Sequence, residues 1–332
     1  MKIVLFSLLL AALAANAAWA VPLSDFPEQE YSRFVQYTDE NGLQKTIDLE
    51  EEVDEDLLDS LDSYIDRCVL FTRENPSEGQ NLEMNNVESI LSSNFDPNAP
   101  TVVVVHGWLG NQDSGMNTQV REAFLSKGPA NVIAVDWRSL AVSGYVTATR
   151  GVPEAGRQLG RFLAFLNKVA NAPYEKMHLV GFSLGAHLVG NAGRELGGKV
   201  ARVTGLDPAG LLWNLNSNKI SRNDGQYVEG IHTDGGLSAS IGIGYAIGDA
   251  DFFPNGGNSQ PGCLTNFCNH NRAWRFFAST ITHDHLVGRQ CSNYLQVTLG
   301  TCRGQNLNMG NSDLNKTGSG LYRMRTRRFY PY

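Results

Sequence analysis

The chain has 332 residues, 42% of them hydrophobic, with a formal net charge of −7. That length and apolar content supply a sizeable core and exclude a disordered or fibrous chain. With an acidic balance, no nucleic-acid partner is expected.

The N-terminus reads as a leader. Lys2 is followed by an apolar stretch over residues 3–15 and by Ala18-Trp19-Ala20. A basic start, a short apolar core and an A-x-A site describe a secretory signal peptide over residues 1–20. The apolar run is too short for a membrane span, and no later stretch approaches one. The mature chain is expected to begin near Val21 in an oxidising, extracellular compartment. Residues 21–66 then hold 15 acidic and 2 basic residues, whereas residues 67–332 hold 19 acidic and 24 basic ones. Such an acidic stretch is expected to be solvated and poorly ordered, or to act as a propeptide. The remaining 67–332 is expected to be one domain.

From residue 101 the hydrophobic pattern alternates between two kinds of element. Apolar runs without polar alternation occupy 101–106 (TVVVVH), 132–135, 178–181, 201–206 and 227–231. Runs of this kind are strands buried on both faces. Between them, 120–125, 155–170 and 183–196 read as helices; in the second, Leu159, Phe162, Leu163, Leu166 and Val169 form one stripe. Strand–helix alternation predicts an α/β fold, a mostly parallel sheet covered on both faces. The glycine-rich stretch 235–257 reads as one long loop. Only 62 residues follow His270, short of the ~100 of a β-sandwich module. The five cysteines form two close pairs, so bridges Cys263–Cys268 and Cys291–Cys302 are expected, with Cys68 left over. Asn315-Lys316-Thr317 is a glycosylation sequon.

The chemistry begins at Gly181-Phe182-Ser183-Leu184-Gly185. A G-x-S-x-G between a strand and a helix is a nucleophile elbow, whose tight turn lifts the serine hydroxyl clear of the sheet. A serine hydroxyl needs a base within hydrogen-bond reach and a carboxylate to orient that base. In such a fold the three follow the chain order Ser, acid, His. Asp207 is favoured as the acid because Pro208 ends its strand there; Asp234 and Asp251 are rivals. Among the later histidines His232, His270, His283 and His285, His270 is favoured because Cys268 and its bridge would fix its position. His106 and His187 precede the acid. An oxyanion hole requires two backbone N–H groups. Leu184, after the serine, supplies one, and Trp108, in the loop after strand 101–106, supplies the other.

These residues sit in longer strings: VVVVHGW (102–108), AVDW (134–137), HLVGFSLGAHLVGNAGR (178–194), VTGLDPAG (203–210), YVEGIHTDGG (227–236), DFFPNGG (251–257) and CNHNRAW (268–274). Together the chain resembles the pancreatic-lipase family of secreted lipases and A1-type phospholipases, particularly its single-domain insect-type branch. The resemblance implies an α/β-hydrolase fold without a C-terminal β-sandwich. It implies a triad of Ser183, Asp207 and His270, with Trp108 and Leu184 as oxyanion donors. It also implies that Cys263 and Cys268 bracket the lid and that residues 235–250 form the loop facing it.

Three departures refine the expected activity. Only Leu264-Thr265-Asn266-Phe267 lie between the lid cysteines, too few for an amphipathic flap; in the family a truncated lid goes with phospholipase A1 activity. The facing loop is only slightly shortened, which points instead toward triglycerides. Residues 216–224 contain one acid, Asp224, so neither calcium nor another metal or cofactor is expected, and without the sandwich no colipase is expected. The reading is a secreted lipase acting on glycerolipids at a lipid–water interface, leaning to phospholipase A1. A triacylglycerol or galactolipid lipase is the alternative. A non-catalytic yolk-type relative is opposed by the intact Ser183, Asp207 and His270.

Overall fold

The computed structural model describes residues 32–38, 43–236 and 240–332. The expected signal peptide lies outside the described residues. Eight α-helices and thirteen strands are formed by the described residues, in the order β1 (Phe34–Thr38), β2 (Gln44–Asp48), α1 (Glu55–Ser60), β3 (Arg67–Phe71), β4 (Gln80–Leu82), α2 (Val87–Leu91), β5 (Thr101–Val105), α3 (Gly115–Lys127), β6 (Asn131–Asp136), α4 (Arg138–Ala141), α5 (Tyr145–Ala170), β7 (Met177–Phe182), α6 (Leu184–Glu195), β8 (Arg202–Leu206), β9 (Tyr227–Ile231), β10 (Ala250–Pro254), α7 (Asn266–His283), β11 (Val287–Cys291), α8 (Tyr294–Leu299), β12 (Asn306–Asn308) and β13 (Gly320–Met324).

Eleven of the strands make one sheet, ordered β4-β3-β6-β5-β7-β8-β9-β10-β13-β11-β12. The middle of it, β6 through β13, is parallel, and the pairs at both margins are antiparallel. Side chains alternate across the sheet. Val103, Val105, Ile133, Val135 and Leu179 pack on one face with α5 and α6. Val102, Val104, Val132, Ala134 and Val180 pack on the other with α3 and α7. Both faces are therefore core, which is why the sequence shows unbroken apolar runs there.

Three expectations are corrected. β10 lies inside the stretch read as one long loop; flanking glycines obscured it, but all five of its residues are buried, and it pairs in parallel with β9 and β13. α5 starts ten residues before the expected Ala155 and runs through Pro153. The hydrogen bond a proline removes is outweighed by burial of Tyr145, Ala148 and Val152 on the preceding turns. The described part of the acidic stretch is ordered: β1 and β2 form an antiparallel hairpin, and Val35, Ile47 and Leu58 join the core. Its acids face outward or cap; Glu51 Oε1 accepts from Val146 N at 3.1 Å, and the Asp54 side chain caps α1.

Candidate active site

Every parallel strand delivers its carboxyl end to the same edge of the sheet, where an open α/β sheet places its crevice. β7 runs into α6 through a single residue, Ser183, held at φ 56° and ψ −121°. A non-glycine residue at positive φ is strained and persists only where its surroundings over-determine it. Here Ser183 N donates to Leu206 O (3.1 Å) and Ser183 O accepts from Ala186 N (3.1 Å). The flanking glycines are a packing requirement. A Cβ on Gly181 would stand 2.1 Å from Gly185 O, and one on Gly185 would stand 2.4 Å from His106 O.

Asp207 ends β8, next to β7, at φ 42°. Its Oδ1 accepts from Thr233 N (2.6 Å) and Asp234 N (3.0 Å), and its Oδ2 lies 2.5 Å from His270 Nδ1. A carboxylate oxygen accepts, so Nδ1 carries the proton, and in the neutral imidazole it is then Nε2 that presents a lone pair. His270 sits in the second turn of α7, a helix capped by the Thr265 hydroxyl, which accepts from Cys268 N at 3.2 Å. The helix begins at Asn266, so it is the helix, with the Cys263–Cys268 bridge at its head, that aims the imidazole. The His270 ring packs on Phe182, centroids 4.5 Å apart, which brings it beside the elbow. Gly242 closes the far side, since a Cβ there would fall 2.5 Å from Asp207 Oδ2.

The loop after β5 completes the crevice. A Cβ on Gly107 would lie 3.0 Å from Ser183 Cβ, so this backbone touches the elbow directly. Leu184, as the first residue of α6, has an amide with no acceptor inside its own helix. Trp108 is half-buried; its ring nitrogen donates to Ser143 O at 2.9 Å and its ring meets Tyr145 edge-on. Two supports had no sequence signal. His106 donates from Nδ1 to Gly107 O (2.9 Å) and accepts at Nε2 from Trp137 N (3.3 Å). His187, on α6, donates to Ala209 O (2.8 Å), accepts from Ile220 N (3.1 Å) and stacks on Trp213. Burial pushes the His187 imidazole down to about 3, so it is a neutral brace that holds the segment after Asp207.

The rival residues are used elsewhere. His232 and Asp251 pair with each other at 2.8 Å, and Asp251 also accepts from Ile247 N and Gly248 N. His283 bonds Tyr330 and His285 bonds Pro331 O, at the opposite end of α7 from His270. Asp234 is buried beside Asp207 and accepts from Ile241 N at 3.0 Å. Burial and the Asp207 charge push its carboxyl up to about 8, which favours the protonated form. The second bridge joins Cys291 and Cys302. Cys68 is a free, buried thiol that burial pushes up to about 12. Between Cys263 and Cys268 Leu264 is fully exposed and Thr265 already serves the helix cap. Among the described residues no group of three His, Cys, Asp or Glu side chains gathers as metal ligands. A small cavity of about 120 Å³, among Pro100, Phe124, His178 and Leu314, lies at the other edge of the sheet.

A mostly parallel sheet, helices on both faces and an elbow at the carboxyl edge define an α/β-hydrolase. The chain belongs to the Lipase family, whose model matches residues 28–321. It is 32% identical over 259 residues to pancreatic lipase-related protein 2 of Bos taurus, covering 70% of this chain and 55% of that protein. It is 31% identical over 261 residues to pancreatic triacylglycerol lipase of Homo sapiens (71% and 56%), and 34% identical over 267 residues to hepatic triacylglycerol lipase of Rattus norvegicus (71% and 54%). The chain thus spans about half the length of the curated relatives it matches.

Proposed function

We propose that this chain is a secreted carboxylic-ester hydrolase of glycerolipids, with Ser183 as nucleophile, His270 as base and Asp207 as the acid that orients it. The observation that carries the reading is the 2.5 Å bond from His270 Nδ1 to Asp207 Oδ2 beside a strained serine elbow. His270 Nε2 takes the Ser183 hydroxyl proton as Oγ attacks the ester carbonyl. The oxyanion of the tetrahedral intermediate is held by the N–H groups of Leu184 and Trp108. Collapse breaks the ester C–O bond, and His270 returns the proton to the departing lipid alcohol. Water repeats the path on the acyl-enzyme, releasing fatty acid and restoring Ser183.

For the substrate we favour phospholipids or mixed glycerolipids cleaved at sn-1. The stub between Cys263 and Cys268 supports this, because its residues enter the cap of α7 rather than a flap. A triacylglycerol or galactolipid lipase is the second reading, favoured by the longer segment 235–250 and by the names of the human and rat relatives. The two disulfides and the leader sequence support secretion, and no described helix is long and apolar enough to cross a membrane. The test is fatty-acid release from phosphatidylcholine and from triolein, with sn-1 and sn-2 acyl chains distinguished. Phospholipid release confined to sn-1 and absent in Ser183→Ala is expected. Release from triolein alone would move the assignment to the second reading, and activity surviving Ser183→Ala would remove both.

A further inference from the structure

We propose that residues 325–329, with Leu264, form a docking surface for anionic phospholipid bilayers, standing where a long lid would otherwise meet the interface. The inference rests on the lipid-hydrolase reading above and adds where the protein meets its substrate phase and which headgroup charge it prefers.

Charge in this chain is segregated by sequence. Residues 252–332 contain two acids, Asp284 and Asp313, against nine Lys or Arg residues. Two of the nine are spent internally: Lys316 is buried against Glu229, and Arg272 is buried and donates to Pro261 O. Arg325, Arg327 and Arg328 are all exposed. β13 is parallel to β10, so the chain beyond Met324 leaves the sheet at the edge that carries Ser183 and Asp207. The turn bearing Cys263 and Leu264 follows β10 and leaves at that edge too.

The segment is built into the fold. Thr326 exchanges hydrogen bonds with the Asn255 side chain, at 2.8 and 3.0 Å. The Ser279 hydroxyl donates to Pro331 O at 2.8 Å, and Tyr332 packs edge-on against Phe276. Arg328 lies directly on the lid stub, since a Cβ on Gly262 would stand 2.4 Å from its Cγ. Its guanidinium stands 5.1 Å from the Phe329 ring centre. Leu264 is 100% exposed and Phe329 72% exposed. Basic side chains next to exposed apolar ones suit a surface whose headgroups are anionic and whose interior is apolar. A soluble polyanion would satisfy the arginines and leave Leu264 and Phe329 in water.

The experiment uses the full chain carrying Ser183→Ala, so that vesicles are not consumed, in co-sedimentation with phosphatidylcholine vesicles with and without phosphatidylglycerol. Binding is expected to be tighter to the phosphatidylglycerol vesicles and to fall as salt rises, because screening shortens the attraction. Adding Arg325→Gln, Arg327→Gln and Arg328→Gln should weaken it by roughly fivefold per arginine, on the order of a hundredfold together. In a chain that retains Ser183, the three arginine changes should leave hydrolysis of a soluble short-chain ester unchanged. Equal binding to both vesicle types, salt-insensitive binding, or an unaffected triple variant overturns the proposal. Retention on heparin beads without vesicle binding overturns it in favour of a soluble polyanion. If the native chain cleaves no ester, the hydrolase reading fails while the vesicle measurement still returns its own answer.

Discussion

His106 Nδ1 donates to the carbonyl oxygen of Gly107 at 2.9 Å, and Gly110 N donates to the same oxygen at 3.1 Å. In a trans peptide the C=O and the following N–H point in opposite directions. Holding the Gly107 carbonyl therefore turns the Trp108 N–H away from His106, and Gly107 itself abuts Ser183. The residue that aims this proposed oxyanion donor is thus neither the donor nor its neighbour across the crevice. Loss of one oxyanion donor typically costs ~10²–10³ in rate. His106→Ala, which leaves the amide present but its peptide held by Gly110 N alone, should lower kcat by about 10–100-fold with little change in KM. His106→Asn, whose amide can reach the same carbonyl, should recover part of it. Steady-state kinetics on a soluble ester decides this, and wild-type kcat in His106→Ala would refute the role.

Asp207 and Asp234 lie side by side, yet their substitution should have opposite consequences. Asp207→Asn should lower kcat by about 10⁴ because it no longer imposes the Nδ1–H tautomer on His270. Burial beside Asp207 favours the protonated form of Asp234, which an asparagine mimics, so Asp234→Asn should retain most activity on the same ester. The reverse ranking would exchange their roles.

The raised Asp234 carboxyl also predicts a pH dependence of stability. Its folded value, about 8, exceeds the unfolded ~3.9, so between these the folded chain binds more protons than the unfolded one. Its contribution is complete below the unfolded value and is lost as pH rises toward and through about 8. Asp234→Asn cannot lose a proton. The Tm of Asp234→Asn minus that of the parent should therefore increase from about pH 6 to about pH 9, by scanning fluorimetry. A constant difference would refute the assignment.

Gly242 has no room for a methyl group, since its Cβ would meet all three carboxyl atoms of Asp207 within 2.8 Å. Gly242→Ala should push Asp207 away from His270. A misplacement near 1 Å costs about 10²-fold, so kcat should fall by that order while the chain stays folded by circular dichroism. Unchanged activity would show that the 241–243 segment shifts instead.

Thr265 links the Cys263–Cys268 loop to the helix that carries His270. Thr265→Ala removes the cap of α7, a loss of about 1 kcal/mol read as a lower urea midpoint. Because His270 is one turn further along, kcat should fall with it, and Thr265→Ser should restore both. A Thr265→Ala chain with parental urea midpoint would deny the cap its role.

How much of this was legible beforehand follows from the range of each interaction. The runs at β5, β6, β7, β8 and β9 were read almost to their ends, because burial on both faces writes itself as unbroken apolar sequence. β10, Ala250–Pro254, escapes such a reading because it lies among glycines, and its strand character comes from its neighbours β9 and β13. The margin strands β4, β11 and β12 are short and only partly buried, so no period marks them.

The elbow, the chain order of Ser183, Asp207 and His270, the two close cysteine pairs and the lipase family are properties of sequence alone, because each is carried by residues near one another in the chain or by long matching strings. Which acid meets which histidine was settled only by the fold. Asp207 and His270 are 63 residues apart, and Asp251 was withdrawn from the choice because His232 claims it. The raised carboxyl of Asp234 and the bracing by His106 and His187 likewise exist only once burial has removed water from those side chains. No local pattern in the chain encodes that environment.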